Sequence, residues 1–181
     1  MEDKNVIVDT VTDKEVQLYV CGFIVHNNKV VLINKARGKF KGFYNGIGGK
    51  FEEKDIKEND VVGQALTRCM QREAFEESGI VLRESECELK CTYHGEDFTV
   101  AFFLCKPKTV DDLKSSDEGE VAWFDINALP KRCLQNVKWL IPMCLDHYIK
   151  FPVEILDHGY PDSPVSSDEN VPDGHSGVRC L

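Results

Sequence analysis

Between Arg72 and Ile80 the chain reads Arg-Glu-Ala-Phe-Glu-Glu-Ser-Gly-Ile, and its three glutamates, Glu73, Glu76 and Glu77, stand at i, i+3 and i+4. In a helix those positions share one face. Like charges at that spacing weaken an isolated helix by about 0.2–0.5 kcal/mol per pair, so a cation is expected among them. Projected on a helix, Val62, Ala65, Leu66, Cys69 and Met70 form an apolar arc, and the three glutamates continue that arc one turn on. A solvated acidic helix end is the commoner fate of a charge run, but it gives no reason for acids to share the buried arc. Three inward carboxylates at a helix end make a hard oxygen site. Such a site takes Mg²⁺ or Mn²⁺ and leaves waters and phosphate oxygens to complete the shell.

Periodicity and turn residues place this run in a larger pattern. Val16 to Val25 reads as a strand, Asn27-Asn28 as a tight turn and Lys29 to Asn34 as the returning strand. The stretch from Arg37 to Gly49 is rich in Gly and Lys and reads as loop, with one short strand around Tyr44 to Ile47. A polar segment from Lys50 to Gly63 precedes a helix from about Val62 to Ser78, which Gly79 ends as a C-terminal cap. Glu86 to His94 and Phe98 to Lys106 form a second hairpin around Gly95-Glu96, and Val121 to Asp125 is a further short strand. A second helix is expected from Val137 to Lys150, bent at Pro142. From Asp157 onward Pro, Ser, Asp and Gly dominate, which predicts a disordered tail over 157–181.

A chain of 181 residues with 42% hydrophobic content suffices for one core. Its formal net charge of −9 argues against general attraction to nucleic-acid backbones or anionic lipid surfaces. It is compatible with a phosphate substrate that arrives with its own divalent cation. No apolar run approaches membrane-spanning length and the N-terminus lacks a signal-peptide pattern, so a soluble cytoplasmic protein is expected. Of the eight cysteines, Cys21, Cys69 and Cys105 sit in apolar segments as small core residues. Cys87, Cys91 and His94 lack a second ligand pair at zinc-site spacing and read as alternating residues of a strand in a reducing compartment.

Gly48-Gly49-Lys50, followed by Arg72-Glu73-x-x-Glu76-Glu77-x-Gly79-Ile80, resembles the Nudix box, G-x5-E-x7-R-E-U-x-E-E-x-G-U with U aliphatic. Ala74 is a small occupant of the aliphatic position. The first half departs from the pattern. Fourteen residues separate Gly49 from Gln64, where the box has five before a Glu, so about nine are inserted and Gln64 stands at the acid's place. Counted forward from Gly49, Asp55 takes that place and the insertion follows it. Both registers remain open on the sequence. The resemblance covers about residues 18–148 and implies an α+β Nudix fold, a mixed β-sheet sandwiched between α-helices, in agreement with the strand and helix order. It sets a domain over 1–156, with the insertion at about 51–62.

The resemblance implies an enzyme, a nucleotide pyrophosphohydrolase. A pyrophosphate's oxygens repel a nucleophile, so such a site must neutralise charge, orient a water in line and stabilise the leaving phosphate. Its metal ligands fall on Glu73, Glu76, Glu77 and the backbone carbonyl of Gly49, with Arg72 orienting the glutamates through an ion pair. A further acid comes from the loop Ser116-Asp117-Glu118-Gly119-Glu120 before Trp123-Phe124. That pattern resembles the branch that sanitises oxidised purine nucleotides. It points to Glu118 as ligand or base, with Glu120 as second choice.

Phe43-Tyr44-Asn45-Gly46-Ile47-Gly48-Gly49-Lys50 is similar to the same branch, which places Asn45, together with Asn136 and Lys50, at the substrate. An asparagine carries both donor and acceptor and can read a purine edge. In the segment Leu134 to Trp139 the branch's stacking aromatic is replaced by Leu134 and an acid by Asn136; Trp139 is a replacement stacking surface. The expected reaction converts a nucleoside triphosphate, oxidised purine or canonical, to the monophosphate and pyrophosphate. The partner is then a small nucleotide, with neither nucleic acid nor membrane, and a homodimer is left open. The alternatives are an ADP-ribose or dinucleoside polyphosphate hydrolase and a catalytically inactive ligand-binding Nudix module. The first proline after the box is Pro107 and Tyr93 comes early, against the first two; the retained Arg72 and glutamates argue against the third. mRNA-cap hydrolysis is weaker still, because the net acidity offers an RNA chain no track.

Overall fold

The computed structural model describes residues 16–157. The expected tail, apart from Asp157, therefore lies outside the described residues, as does Cys180.

Seven strands form one mixed sheet: β1 (Gln17–His26), β2 (Lys29–Lys35), β3 (Tyr44–Asn45), β4 (Cys87–His94), β5 (Phe98–Cys105), β6 (Gly119–Asp125) and β7 (Val153–Leu156). Asn27 and Asn28, both at positive φ, turn β1 back on β2, as two asparagines in a two-residue hairpin allow. β1 lies parallel to β5, and β4 runs antiparallel to β5 and parallel to β7. β6 covers the whole length of β2.

Alternation along the strands splits the core into two layers. Val20 and Ile24 of β1, Val31 and Ile33 of β2, and Ala101 and Phe103 of β5 face α1 (Val62–Ser78), which buries Ala65, Leu66, Cys69, Met70 and Ala74. Cys21, Phe23, Val30, Leu32, Phe102 and Leu104 face α2 (Gln135–Leu145), which buries Val137, Leu140, Ile141 and Cys144. Each large side chain buried this way contributes about 1.5–3 kcal/mol. Gly79 ends α1 in the left-handed conformation, φ 74°, and its N–H bonds the Phe75 carbonyl. The α+β arrangement is the one expected, a sheet between helices.

Two expectations are corrected, for α2 and for Cys87 and Cys91, and one strand, β7, is new. α2 begins two residues earlier than the apolar period suggests and stops at Leu145, with Asp146 already extended; Pro142 lies inside it. β7 was not expected, because four residues after Pro152 carry too short a pattern to separate strand from loop. Finally, Cys87 and Cys91 do not alternate on one face. The pairing of β4 with β5 shifts between Leu89 and Cys91, so Lys90 is an extra residue. Cys87 packs in the α1 layer and Cys91 in the α2 layer. Among the described residues, no helix is long and apolar enough to cross a membrane.

Candidate active site

The segment Gly48-Gly49 passes close to β1 and to Glu73 of α1, so a side chain on either glycine would have to displace a neighbour. A Cβ on Gly49 would stand 2.6 Å from the Glu73 carboxylate, and one on Gly48 would stand 2.1 Å from the Val20 carbonyl oxygen. Glu73 and Glu77 are both buried. Gly48 N donates to Glu77 Oε2 at 2.8 Å, and Lys35 Nζ donates to Glu77 Oε1 at 2.6 Å. Burial pushes the Glu77 carboxyl above its ordinary range despite Lys35 and the Gly48 N–H. Burial does the same to Glu73, against the hydrogen bond and charge of Arg72.

Glu76 departs from the expected inward trio. Its side chain is 50% exposed, 3.1 Å from Arg72 Nη1 and 4.0 Å from Lys54 Nζ. It faces the loop that carries Lys54.

Arg72 ties this end of the helix together. Its Nη1 donates to Glu73 at 2.6 Å and Nη2 to the Lys50 carbonyl at 3.0 Å. Nε and Nη2 also grip Asp55 at 2.8 and 2.9 Å. Asp55 is buried, on a single 3₁₀ turn, Glu53–Asp55, and accepts the Glu52 N–H. Gln64 instead lies exposed at the start of α1, where its side chain accepts the Val61 N–H at 3.3 Å. The acid of the first half of the box is therefore Asp55, and the inserted residues follow it. Arg68 holds them, donating to the Asp55 carbonyl at 3.0 Å and pairing with Asp60.

Glu118 stands just before β6, paired with Arg37, whose hydrogen bond holds its carboxyl below the ordinary range. Its charge adds to the upward push on Glu77. Glu120 is exposed, in register with Asn34 on the sheet face turned from α1. Lys35 and Arg37 escape a sequence reading, since they look like ordinary basic residues of a loop. The signal was the strand period: Val31, Ile33 and Lys35 share one face, so Lys35 must meet α1.

On the other sheet face lies a cavity of about 930 Å³ between β1, β5 and α2. Asn45, Gly48, Gly49, Asn136 and Trp139 all line it; Glu73, Glu76, Glu77 and Glu118 do not. Asn45 Oδ1 accepts the Gly46 N–H at 2.8 Å, and Asn136 Oδ1 accepts the Val137 N–H at 2.9 Å. Lys50 is exposed and outside the lining. Tyr93 and Phe98, stacked with centroids 6.0 Å apart, form an aromatic wall that the motif gave no hint of.

The donor chemistry fits a hard divalent cation. Five carboxylates, Asp55, Glu73, Glu76, Glu77 and Glu118, share three close cations, Arg72, Lys35 and Arg37. Among the described residues no three acidic, His or Cys side chains already converge on one point, Arg72 and Lys35 lying against the oxygens. The Gly49 carbonyl accepts the Val20 N–H at 2.9 Å, so only its second lone pair is left for a metal.

A model of the NUDIX domain matches residues 16–142. The Oxidized purine nucleoside triphosphate hydrolase of Danio rerio is 27% identical over 110 residues, which cover 59% of this chain and 65%, just under two thirds, of that protein. A NUDIX hydrolase from Nitrosomonas europaea superposes with a TM-score of 0.60 at 19% identity, over 78% of this chain and 77% of that one. The bifunctional NMN adenylyltransferase/ADP ribose pyrophosphatase from Francisella tularensis, complexed with AMP and Mn ion, gives 0.54 at 16% identity, over 73% and 42%. A MutT NUDIX hydrolase from Burkholderia pseudomallei gives 0.54 at 22%, over 71% and 98%. At these identities the structural likenesses establish the fold.

Proposed function

The chain belongs to the Nudix family, and from that premise we propose that it hydrolyses a nucleoside triphosphate, preferentially a purine or oxidised purine, to the monophosphate and pyrophosphate. The observation that carries this reading is the placement of Gly48-Gly49. One side of that segment borders the cavity and the other touches Glu73 and Glu77. A nucleoside in the cavity then has its anhydride at the carboxylates.

In this proposal Glu73, Glu76 and Glu77 hold Mg²⁺ or Mn²⁺, with Glu118 and the Gly49 carbonyl as further oxygen donors. The bound ion supplies charge neutralisation on the phosphate oxygens and lowers the pKa of a coordinated water. Arg72 is a positioning residue that fixes Glu73 and Glu76 against Asp55. Lys35 beside Glu77 and Arg37 beside Glu118 balance the negative charge that grows on the leaving phosphate. Glu118, kept ionised by Arg37, accepts a hydrogen bond from the attacking water and aligns it. Asn45 and Asn136 contact the base, and Lys50 reaches phosphate from the rim.

Purified protein incubated with Mg²⁺ or Mn²⁺ and a panel of nucleotides, with products separated by anion exchange, tests the proposal. Release of pyrophosphate and monophosphate from purine triphosphates supports it. Cleavage confined to ADP-ribose or dinucleoside polyphosphates moves the substrate elsewhere in the family, and absence of turnover leaves a ligand-binding module.

A further inference from the structure

Three cations line the nucleoside cavity, Lys39, Lys131 and Arg132, against a single carboxylate of its lining, Asp97. In a chain of net charge −9 this is a local reversal of sign. None of the three has a carboxylate within ion-pair distance among the described residues, whereas Lys35, Arg37, Arg68 and Arg72 all do. Two of them rest on aromatic faces. Arg132 lies over the Phe43 ring at 5.1 Å and Lys39 over the Phe40 ring at 5.7 Å. A ring face orients a cation and leaves its charge unneutralised.

Arg132 is held from both ends. Its carbonyl accepts the Tyr44 N–H at 2.9 Å, and Leu134 N donates to the Tyr44 carbonyl at 3.0 Å, so the backbone on either side is fixed to β3. Its guanidinium packs over Gly42, where a Cβ would stand 3.3 Å from Nη2 and where φ is +78°. Gly42 is thus required by the turn and leaves space for the arginine. The first residues of α2, Gln135 and Asn136, also line the cavity, adding the positive end of the helix dipole.

The scissile anhydride belongs at the α1 carboxylates, which are outside this lining, so an anion met by these cations is a different group. We infer that Lys39, Lys131 and Arg132 bind a phosphate monoester carried on the ribose of the substrate, which is then a purine nucleotide phosphorylated at the 2′ or 3′ position as well as at the 5′ anhydride. This rests on the pyrophosphohydrolase reading for the orientation of the nucleotide. The cavity volume, near the upper end of the 300–1,000 Å³ usual for small-molecule sites, leaves room for the extra group.

Calorimetric binding of guanosine 3′,5′-bisphosphate, guanosine 2′,5′-bisphosphate and guanosine 5′-monophosphate, with EDTA present, tests this without turnover. The wild-type protein should bind one of the bisphosphates at least about tenfold more tightly than the monophosphate, the scale of one charge-assisted hydrogen bond. In the Lys39→Gln/Lys131→Gln/Arg132→Gln variant that ratio should fall to about one. A Lys39→Gln/Lys131→Gln variant, which keeps the Arg132 packing, should show an intermediate ratio if the triple variant does not fold. A wild-type ratio near one overturns the inference, as does a ratio that survives the substitutions. Equal weakening of all three ligands assigns the cations to the 5′-phosphate and also overturns it. If no nucleotide is hydrolysed but the ratio behaves as stated, the proposed activity fails and the ribose-phosphate site stands.

Discussion

Arg72 grips Asp55 with two nitrogens, Nε to Oδ1 at 2.8 Å and Nη2 to Oδ2 at 2.9 Å, across seventeen positions of sequence. Asp55 is 3% exposed, so breaking the pair leaves a charge in a poorly solvated place. Asp55→Ala should destabilise the fold by about 3–5 kcal/mol, a fall in melting temperature on the order of 10 °C. Gln64→Ala should cost about 1 kcal/mol or less, the scale of a lost cap, and leave turnover unchanged. The reverse ranking in thermal melts would place the acid of the box at Gln64.

The same pair makes a pH prediction. Burial raises the Asp55 carboxyl, but the hydrogen bonds from Arg72 and the Glu52 N–H outweigh it and hold the group below its ordinary value. A carboxyl lowered in the folded state stabilises above its unfolded pKa of about 3.9, and that contribution is lost as pH falls through the folded value. The melting temperature should therefore drop below about pH 4, and Asp55→Asn should flatten that drop. Parallel acid-side slopes for the two proteins would contradict this.

Glu76→Gln and Glu77→Gln should each lower turnover by at least about a hundredfold at saturating Mg²⁺, the usual loss for one electrostatic group at such a centre. Their effects on stability should differ. Glu77 is buried against Lys35 and the Gly48 N–H, whereas Glu76 is half exposed, so only Glu77→Gln should shift the metal-free melting temperature. Mg²⁺ or Mn²⁺ should raise the melting temperature of the wild type and raise it less in both variants. Near-normal turnover in both would remove these residues from the site.

Glu118→Ala should lose turnover more than metal affinity, because Glu118 stands at the edge of the carboxylate group and is held by Arg37. Glu120→Ala, on the other sheet face, should change kcat less than about twofold, as surface substitutions usually do. A damaging Glu120→Ala beside a silent Glu118→Ala would exchange their roles.

What the sequence disclosed and what it hid divide along physical lines. Local signals worked: the period of α1, the Gly79 cap and the paired asparagines at the first turn each act within a few residues, and the corresponding elements lie where expected. The exposure of Glu76 depends on what packs against that side of α1, which no helical projection contains. The choice between Asp55 and Gln64 depends on a contact with Arg72 that only the folded loop makes. The bulge at Lys90, which sends Cys87 and Cys91 to opposite layers, is set by pairing with β5 and leaves no mark in the strand's own pattern. The cationic wall of the cavity joins two loops far apart in sequence, around positions 39–43 and 131–132.

The cavity between β1, β5 and α2 supplies the last prediction. Asn45 and Asn136 both line it, and both spend their side-chain oxygen on a neighbouring backbone N–H. What remains of each amide is its NH₂ group, with two donors, and one lone pair of the oxygen. The NH₂ groups suit a base that presents acceptors, such as a purine carbonyl or ring nitrogen. Asn45→Ala should leave such an acceptor unpaired, at a cost of about 1–3 kcal/mol, a loss of about 5- to 150-fold in kcat/KM. The loss should fall on the preferred base and be much smaller for others, so selectivity should flatten while metal dependence is unchanged. Asn136→Ala should do the same and lower stability by less than about 1 kcal/mol, because the Val137 N–H keeps the Leu134 carbonyl as a partner at 3.1 Å. Measuring kcat/KM for four nucleotides beside the melting temperature separates base reading from support of the fold. Selectivity preserved in both variants would mean that neither amide reads the base, leaving recognition to the aromatic wall of Tyr93, Phe98 and Trp139.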